Sequence, residues 1–420
     1  MSHRKLHAIA TPRQDTALTR VGRSSPHGPA SDDAGISPAY ANPPLVRAST
    51  VLAGSLREWR ERAALPTRDK PAAAYGRFGT PTTQAFESAM AELESAHRAL
   101  CFPSGLAACT ISLLALAPPG SHVLITASVY WPVREFAEET LTQLGCTVEF
   151  FNEIDADGIA ARLRPDTSVV YLESPGSLTF EVCDVDHIAA RCHAAGVRVV
   201  MDNTWATPVL FRPLEHGVDV SVQSATKYIC GHSDCILGVA ACNEETWRAV
   251  ATMATRFGQT ASPDDLYQGL RGLRTLGVRM RQHGASAVTL AHWLAARPEV
   301  MHVFSPVMPG HPGHAEWKRL YDGASGVFSF VLKPVPEAVL ARFFDSLRAF
   351  GIGLSWGGFE SLVVPVPSGR TLAMQQVQGG GQLVRIAAGL EAIEDLVEDL
   401  RQALDSMIDV SSLALSAQVA

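Results

Sequence analysis

The sequence predicts an α/β fold: a mainly parallel central sheet with helices on both faces, followed by a smaller α+β region. Three observations carry that expectation. From His122 to Val222, short apolar runs of strand length alternate with amphipathic stretches of helix length, the rhythm of repeated strand–helix–strand units. Two of those runs end in polar residues, Asp202 and Ser224-Ala225-Thr226-Lys227, and ligands of such sheets sit outside the carboxyl ends of the strands. Beyond about residue 270 the rhythm gives way to longer helices and isolated strands.

The chain of 420 residues is too long for one core, so it divides into an N-terminal arm (1–60), a large domain (61–272) and a small C-terminal domain (273–420). A net charge of −7 gives no electrostatic attraction to nucleic acid or an anionic membrane. No apolar run approaches the roughly 20 residues of a transmembrane helix. Met1-Ser2-His3-Arg4-Lys5 is not followed by the apolar stretch of a secretory signal. The 8 cysteines are scattered through apparent core segments, which fits reduced thiols in the cytoplasm better than a disulfide framework.

The elements are expected as follows. Residues 1 to about 60 lack periodicity; the first 15 or so are expected to be disordered and the rest to lie as an arm on a neighbouring subunit. A short charged helix surrounds Trp59, and Tyr75-Gly76-Arg77-Phe78-Gly79 forms a loop. Phe86, Met90, Leu93 and Leu100 recur at near-helical spacing, predicting a helix over 84–98. Ser104 caps the next helix, which opens with Gly105-Leu106-Ala107 and stays apolar to Leu116. Strands follow at 122–126, 147–150, 169–172, 197–201 and 218–222, with helices over 132–144, 159–163 and 185–195. A long helix is predicted from Leu270 to Trp293, then strand 326–332, helix 337–350, strand 383–387 and a closing helix over 393–404.

Lys227 is the residue around which these elements are organised. Burial penalises an ammonium, so a lysine at the end of a buried strand has a lowered pKa and a nucleophilic neutral form. Ser224 and Thr226 flank it with hydroxyl donors. Asp202 ends the neighbouring strand run, and the helix opening at Gly105 presents free N–H groups, an anion site or an ordinary N-cap. A lysine, an acid and a phosphate cradle are the parts a pyridoxal phosphate site requires. Cys230-x-His232-x2-Cys235 lacks the second pair of ligands a structural zinc would need, so no metal site is expected.

Ser224-Ala225-Thr226-Lys227-Tyr228 with Gly231-His232 is similar to the lysine motif of the pyridoxal-phosphate enzymes of cysteine and methionine metabolism. Asp202-Asn203-Thr204-Trp205-Ala206, Leu172-Glu173-Ser174-Pro175-Gly176-Ser177, the run Leu270 to Leu276 and Ser355-Trp356-Gly357-Gly358 look like the bacterial cystathionine β-lyase branch. The resemblance runs from about Asp15 to the closing helix. It implies a fold type I transferase architecture, with Lys227 holding pyridoxal 5'-phosphate as a Schiff base and Asp202 paired with the pyridine nitrogen. It also implies that Tyr130 stacks on the ring. Gly105, Leu106, Ser224 and Thr226 would hold the phosphate, completed by Tyr75 and Arg77 from a neighbouring subunit of a homotetramer. Arg385, Ser355 and Trp356, with Tyr75, would hold an amino-acid substrate. The implied reaction is carbon–sulfur β-elimination; the alternatives are a γ-synthase or γ-lyase of the same family, or a non-catalytic relative. Phe78, Leu354 and Thr255 depart from the lyase pattern where it commonly has an arginine and two tyrosines, so the far end of the substrate pocket is expected to be apolar.

Overall fold

The computed structural model describes residues 13–22, 40–64, 75–152, 156–367 and 380–417. The expectation of disorder near the N-terminus falls mostly on residues 1–12, outside the described residues.

Seven strands, β1 (Arg98–Phe102), β2 (His122–Thr126), β3 (Thr147–Phe151), β4 (Thr167–Glu173), β5 (Arg198–Asp202), β6 (Val220–Ser224) and β7 (Gly238–Cys242), form one sheet. Its order is β3-β2-β4-β5-β6-β7-β1. All neighbours run parallel except β7, which is antiparallel to both β6 and β1. Alternate side chains enter different layers. In β4, Val169 and Tyr171 pack with helix Gly105–Leu116, while Val170 and Leu172 pack on the other face with helix Val185–Ala194. Covering both faces is what makes these strands read as continuous apolar runs.

The second sheet contains β8 (Val300–Phe304), β9 (Val327–Leu332), β10 (Gly351–Ile352), β11 (Leu362–Pro365) and β12 (Gln382–Ala387), in the order β10-β11-β12-β9-β8. Helices Glu337–Ser346 and Ile393–Ala417 bury Phe343, Leu396, Leu400 and Leu404 in the core on this side.

Several elements differ from expectation. The helix expected over 84–98 is Pro81–Leu93, opened by a capping box between Thr80 and Thr83 with Pro81 in the first turn. Leu100 belongs to β1, whose pairing with β7 outweighs its helical spacing from Leu93. The long helix from Leu270 is two, Pro263–Leu273 and Leu276–Ala295. They part where Arg274 turns to donate to the carbonyls of Leu18 and Val21, at 3.2 and 2.7 Å. That contact also corrects the arm. Gln14–Arg20 is a helix that buries Leu18 against this same chain, and Val21 just after it is buried too. Within residues 40–64, Leu52, Leu56 and Trp59 are well exposed.

Candidate active site

The strand register assembles the site. Phe102, Gly238 and Ser224 stand side by side on β1, β7 and β6, so the chain leaves β1 beside the end of β6. There Ser104 caps helix Gly105–Leu116, its hydroxyl accepting the Ala107 N–H at 3.1 Å. A Cβ at Gly105 would lie 2.5 Å from the Ser224 Cβ and one at Gly238 2.1 Å from the Ser104 carbonyl oxygen. Glycine at both positions lets the helix start press onto the strand ends. Among the described residues the N–H groups of Gly105 and Leu106 and the Ser224 hydroxyl take no hydrogen bond, and a helix start favours an anion there. The Thr226 hydroxyl is more committed: it donates to the Leu237 carbonyl at 3.2 Å and accepts the Leu237 N–H at 2.9 Å.

Lys227 follows one turn after β6. Its Nζ donates to Ser355 Oγ at 2.7 Å and stands 5.3 Å from the centre of the Trp356 ring. Burial lowers its pKa to about 8, Arg385 adding to the effect and Asp202 opposing it. The Ser355-Trp356-Gly357 loop is laid on the lysine's own backbone: a Cβ at Gly357 (φ +86°) would lie 2.9 Å from the Tyr228 nitrogen. Ser355 itself holds a φ of +83°, a strained conformation for a serine, kept where it presents Oγ to Lys227.

Asp202 ends β5, directly beside β6. Its Oδ1 accepts the Thr204 N–H at 2.9 Å and the Thr204 hydroxyl at 2.5 Å, and its Oδ2 faces the Cys109 thiol at 3.7 Å. Burial raises its pKa, opposed by those donors and by Lys227. At the end of β4, beside Asp202, Glu173 accepts the Tyr130 N–H at 2.6 Å, and burial together with Asp202 pushes its carboxyl well above the ordinary range. Tyr130 is 47% exposed at the mouth, and its phenol pKa is raised by burial and by Glu173. Arg385, on β12, donates to the Ser355 carbonyl at 3.0 Å and has no acidic partner among the described residues. Burial lowers its pKa to about 10. A half-buried guanidinium without a carboxylate partner is open to one.

The expected residues therefore gather at this site from six elements, with two exceptions. Tyr75 pairs with Thr50 in an isolated bridge, and Arg77 places its guanidinium 4.5 Å over the Phe78 ring. None of the described hydrogen bonds, ion pairs or ring contacts joins either to the cluster. Glu173, Thr204, Cys109 and Tyr171 touch the site without having been singled out. Glu173 and Thr204 lie inside motifs read for other residues, while Cys109 and Tyr171 sit in apolar runs that read as core. Cys230 donates to Cys235 at 3.0 Å, all 8 cysteines are free and buried, and no group of metal-binding side chains occurs among the described residues.

A nucleophilic lysine, a buried acid one strand away, an open anion cradle between them and an unpaired arginine fit pyridoxal phosphate and an amino acid together. They fit an enzyme that works with this cofactor. The chain belongs to the Cys/Met metabolism PLP-dependent enzymes, whose family model matches residues 30–405. The cystathionine beta-lyase of Escherichia coli strain K12 is 39% identical to it, over 93% of this chain and 98% of that protein. An L-alanine/L-glutamate racemase of Wolbachia pipientis is 37% identical, over 86% of this chain and 92% of that protein. The crystal structure of metB from Corynebacterium glutamicum superposes with a TM-score of 0.83 at 29% identity, covering 94% of this chain and 99% of that one.

Proposed function

We propose that the protein is a carbon–sulfur β-lyase, cleaving cystathionine or another S-substituted L-cysteine to a thiol, pyruvate and ammonia. The observation that carries this reading is the placement of the Lys227 amine, lowered to a pKa of about 8, between the Ser355 hydroxyl and the Asp202 side of the site. Bound pyridoxal phosphate supplies an electron sink for the pair left at Cα. Arg385 binds the substrate carboxylate and fixes which face of Cα meets the amine. Lys227 then takes the Cα proton, and Ser355 holds the amine in place for it. The Cα electron pair forms the Cα–Cβ double bond as the Cβ–S bond breaks, and the thiolate takes a proton. Water converts the released enamine to pyruvate and ammonia. The racemase relative shares the Cα proton transfer, so that step alone does not separate the two reactions.

Further parts of the reading concern assembly and substrate range. Tyr75 and Arg77 of the partner subunit complete the phosphate site in a homotetramer built from dimers with shared sites; the 44% exposure of Tyr75 and its distance in contacts from this chain's own cluster support that. Free, buried cysteines suit the cytoplasm. Leu354, beside Ser355, is 80% exposed, and Phe78 of the partner subunit would add a second apolar side chain to an approach that favours S-alkyl- or S-aryl-cysteines at least as much as cystathionine. Steady-state kcat/KM over a panel of thio-amino acids tests the whole reading. Pyruvate release is expected; α-ketobutyrate release identifies a γ-enzyme, and loss of optical activity without keto acid identifies a racemase.

A further inference from the structure

The site contains a donor chain that the β-lyase reading does not use. Cys109 lies one turn into helix Gly105–Leu116, and its Sγ is 3.7 Å from Asp202 Oδ2. Whereas Oδ1 is satisfied twice by Thr204, the thiol is the described hydrogen-bond partner of Oδ2. Behind it, on β4, Tyr171 is fully buried with a hydroxyl that makes no hydrogen bond of ordinary geometry. Burial raises the Tyr171 pKa well above its ordinary value, and the Asp202 carboxylate adds to it. The surrounding layer is Val169, Val200, Val222, Ala108 and Ile111, which asks for nothing more polar than an alkyl group. A hydroxyl and a thiol stacked in such a layer behind one carboxylate oxygen cost free energy unless they act on that oxygen.

We propose that Cys109, backed by Tyr171, is a positioning residue that keeps the proton shared by Asp202 and the cofactor's pyridine nitrogen on the nitrogen. The inference rests on the reading of Asp202 as the partner of that nitrogen. A hydrogen bond donated to the ionised carboxylate lowers its affinity for a proton. Burial and the nearby Asp202 push the Cys109 thiol far up, so it remains S–H and a donor rather than an anion. The other titratable groups facing Asp202 are Glu173, at the adjoining end of β4, and Lys227, after β6; Tyr130 stands at the mouth. Glu173 is held toward its neutral form by burial, so it does not compete as an acceptor of the pyridinium. The proton on the ring nitrogen is what makes the ring a strong electron sink, and Cys109 biases its position without touching substrate.

The test uses the full chain loaded with pyridoxal phosphate carrying an NMR-active ring nitrogen. Wild type, Cys109→Ala, Cys109→Val, Cys109→Ser and Tyr171→Phe are compared by the ring-nitrogen chemical shift and by the dissociation constant for the cofactor. Alanine and valine should both move the resonance toward the unprotonated position and weaken cofactor retention about fivefold, the scale expected for one weak charge-assisted hydrogen bond. Serine, which restores a donor, should stay within about twofold of wild type, the same hydrogen-bond scale bounding it from above. Tyr171→Phe should shift the resonance in the same direction by less. Equal behaviour of serine and valine, or no shift in either apolar variant, overturns the role of Cys109. Asp202→Asn is the separate control: if it keeps the wild-type ring-nitrogen shift, the reading of Asp202 falls instead.

Discussion

Lys227 is pulled in two directions. Burial and the Arg385 guanidinium disfavour its ammonium, while the Asp202 carboxylate favours it, and the balance leaves a pKa of about 8. The sign matters for cofactor capture, because only the neutral amine attacks an aldehyde. An ordinary lysine near pH 7 is almost wholly protonated, whereas about a tenth of Lys227 is neutral there, given a reference value of about 10.4. Capture of pyridoxal phosphate by the apoprotein should therefore accelerate about tenfold from pH 6 to pH 7, reach about half its maximum near pH 8 and level off above about pH 9. Stopped-flow absorbance at a series of pH values measures it. A rate still climbing at pH 9.5 would show that the site leaves this lysine unperturbed. Arg385 is the complementary case: a cation kept half-buried without a carboxylate, its only described protein partner being the Ser355 carbonyl.

At the scale of elements, the site depends on how closely one helix start approaches two strand ends. Gly105→Ala would put a methyl group 2.5 Å from Ser224 Cβ and 2.7 Å from its Oγ, so the helix or β6 must move. Overpacking of this kind costs about 1–3 kcal/mol. Here it also spreads the N–H groups and the hydroxyl that would face the phosphate. The variant should lower the unfolding temperature of the apoprotein by a few degrees and weaken cofactor binding about tenfold or more. Thermal unfolding and a cofactor titration check the two effects, and a variant with unchanged affinity would place the phosphate elsewhere. The polar endings of β5 and β6 were readable in the sequence because an apolar run that stops at an acid or a lysine has few structural explanations. Other features were hidden for physical reasons. β7 is Gly-Val-Ala-Ala-Cys, too small in its side chains to read as a strand, although it is the strand on which both β1 and β6 register. Cys109 and Tyr171 carry apolar bulk with one polar atom, so a sequence pattern counts them as core. The break between helices Pro263–Leu273 and Leu276–Ala295 depends on Arg274 meeting the carbonyls of Leu18 and Val21, a contact about 250 residues away in sequence that no local pattern encodes.

At the scale of the whole molecule, the site of one chain is rich in groups for the ring, the lysine and the carboxylate, and thin in cations for the phosphate. Arg77 is the cation the family resemblance assigns there, yet its described partner is the ring of its own neighbour, Phe78. Leu52, Leu56 and Trp59 are exposed, an apolar surface suited to a second copy of this chain. Shared sites make a quantitative prediction. On the proposed sharing, Arg77→Ala would spoil the site that the chain lends its arginine to, while Lys227→Ala would spoil the site the chain owns. In a mixed dimer one site then carries both defects and the other carries neither. Co-expression of the two inactive variants with separable tags should give about half mixed dimers, and hence about a quarter of wild-type activity, for random pairing of an isologous dimer. Purified mixed dimers should reach about half the wild-type rate by the same symmetry argument. Activity that stays at the level of the two parents in verified mixed dimers would mean that Arg77 serves its own chain. The 4.5 Å stacking of Arg77 on Phe78 would then be its working position, not a resting one.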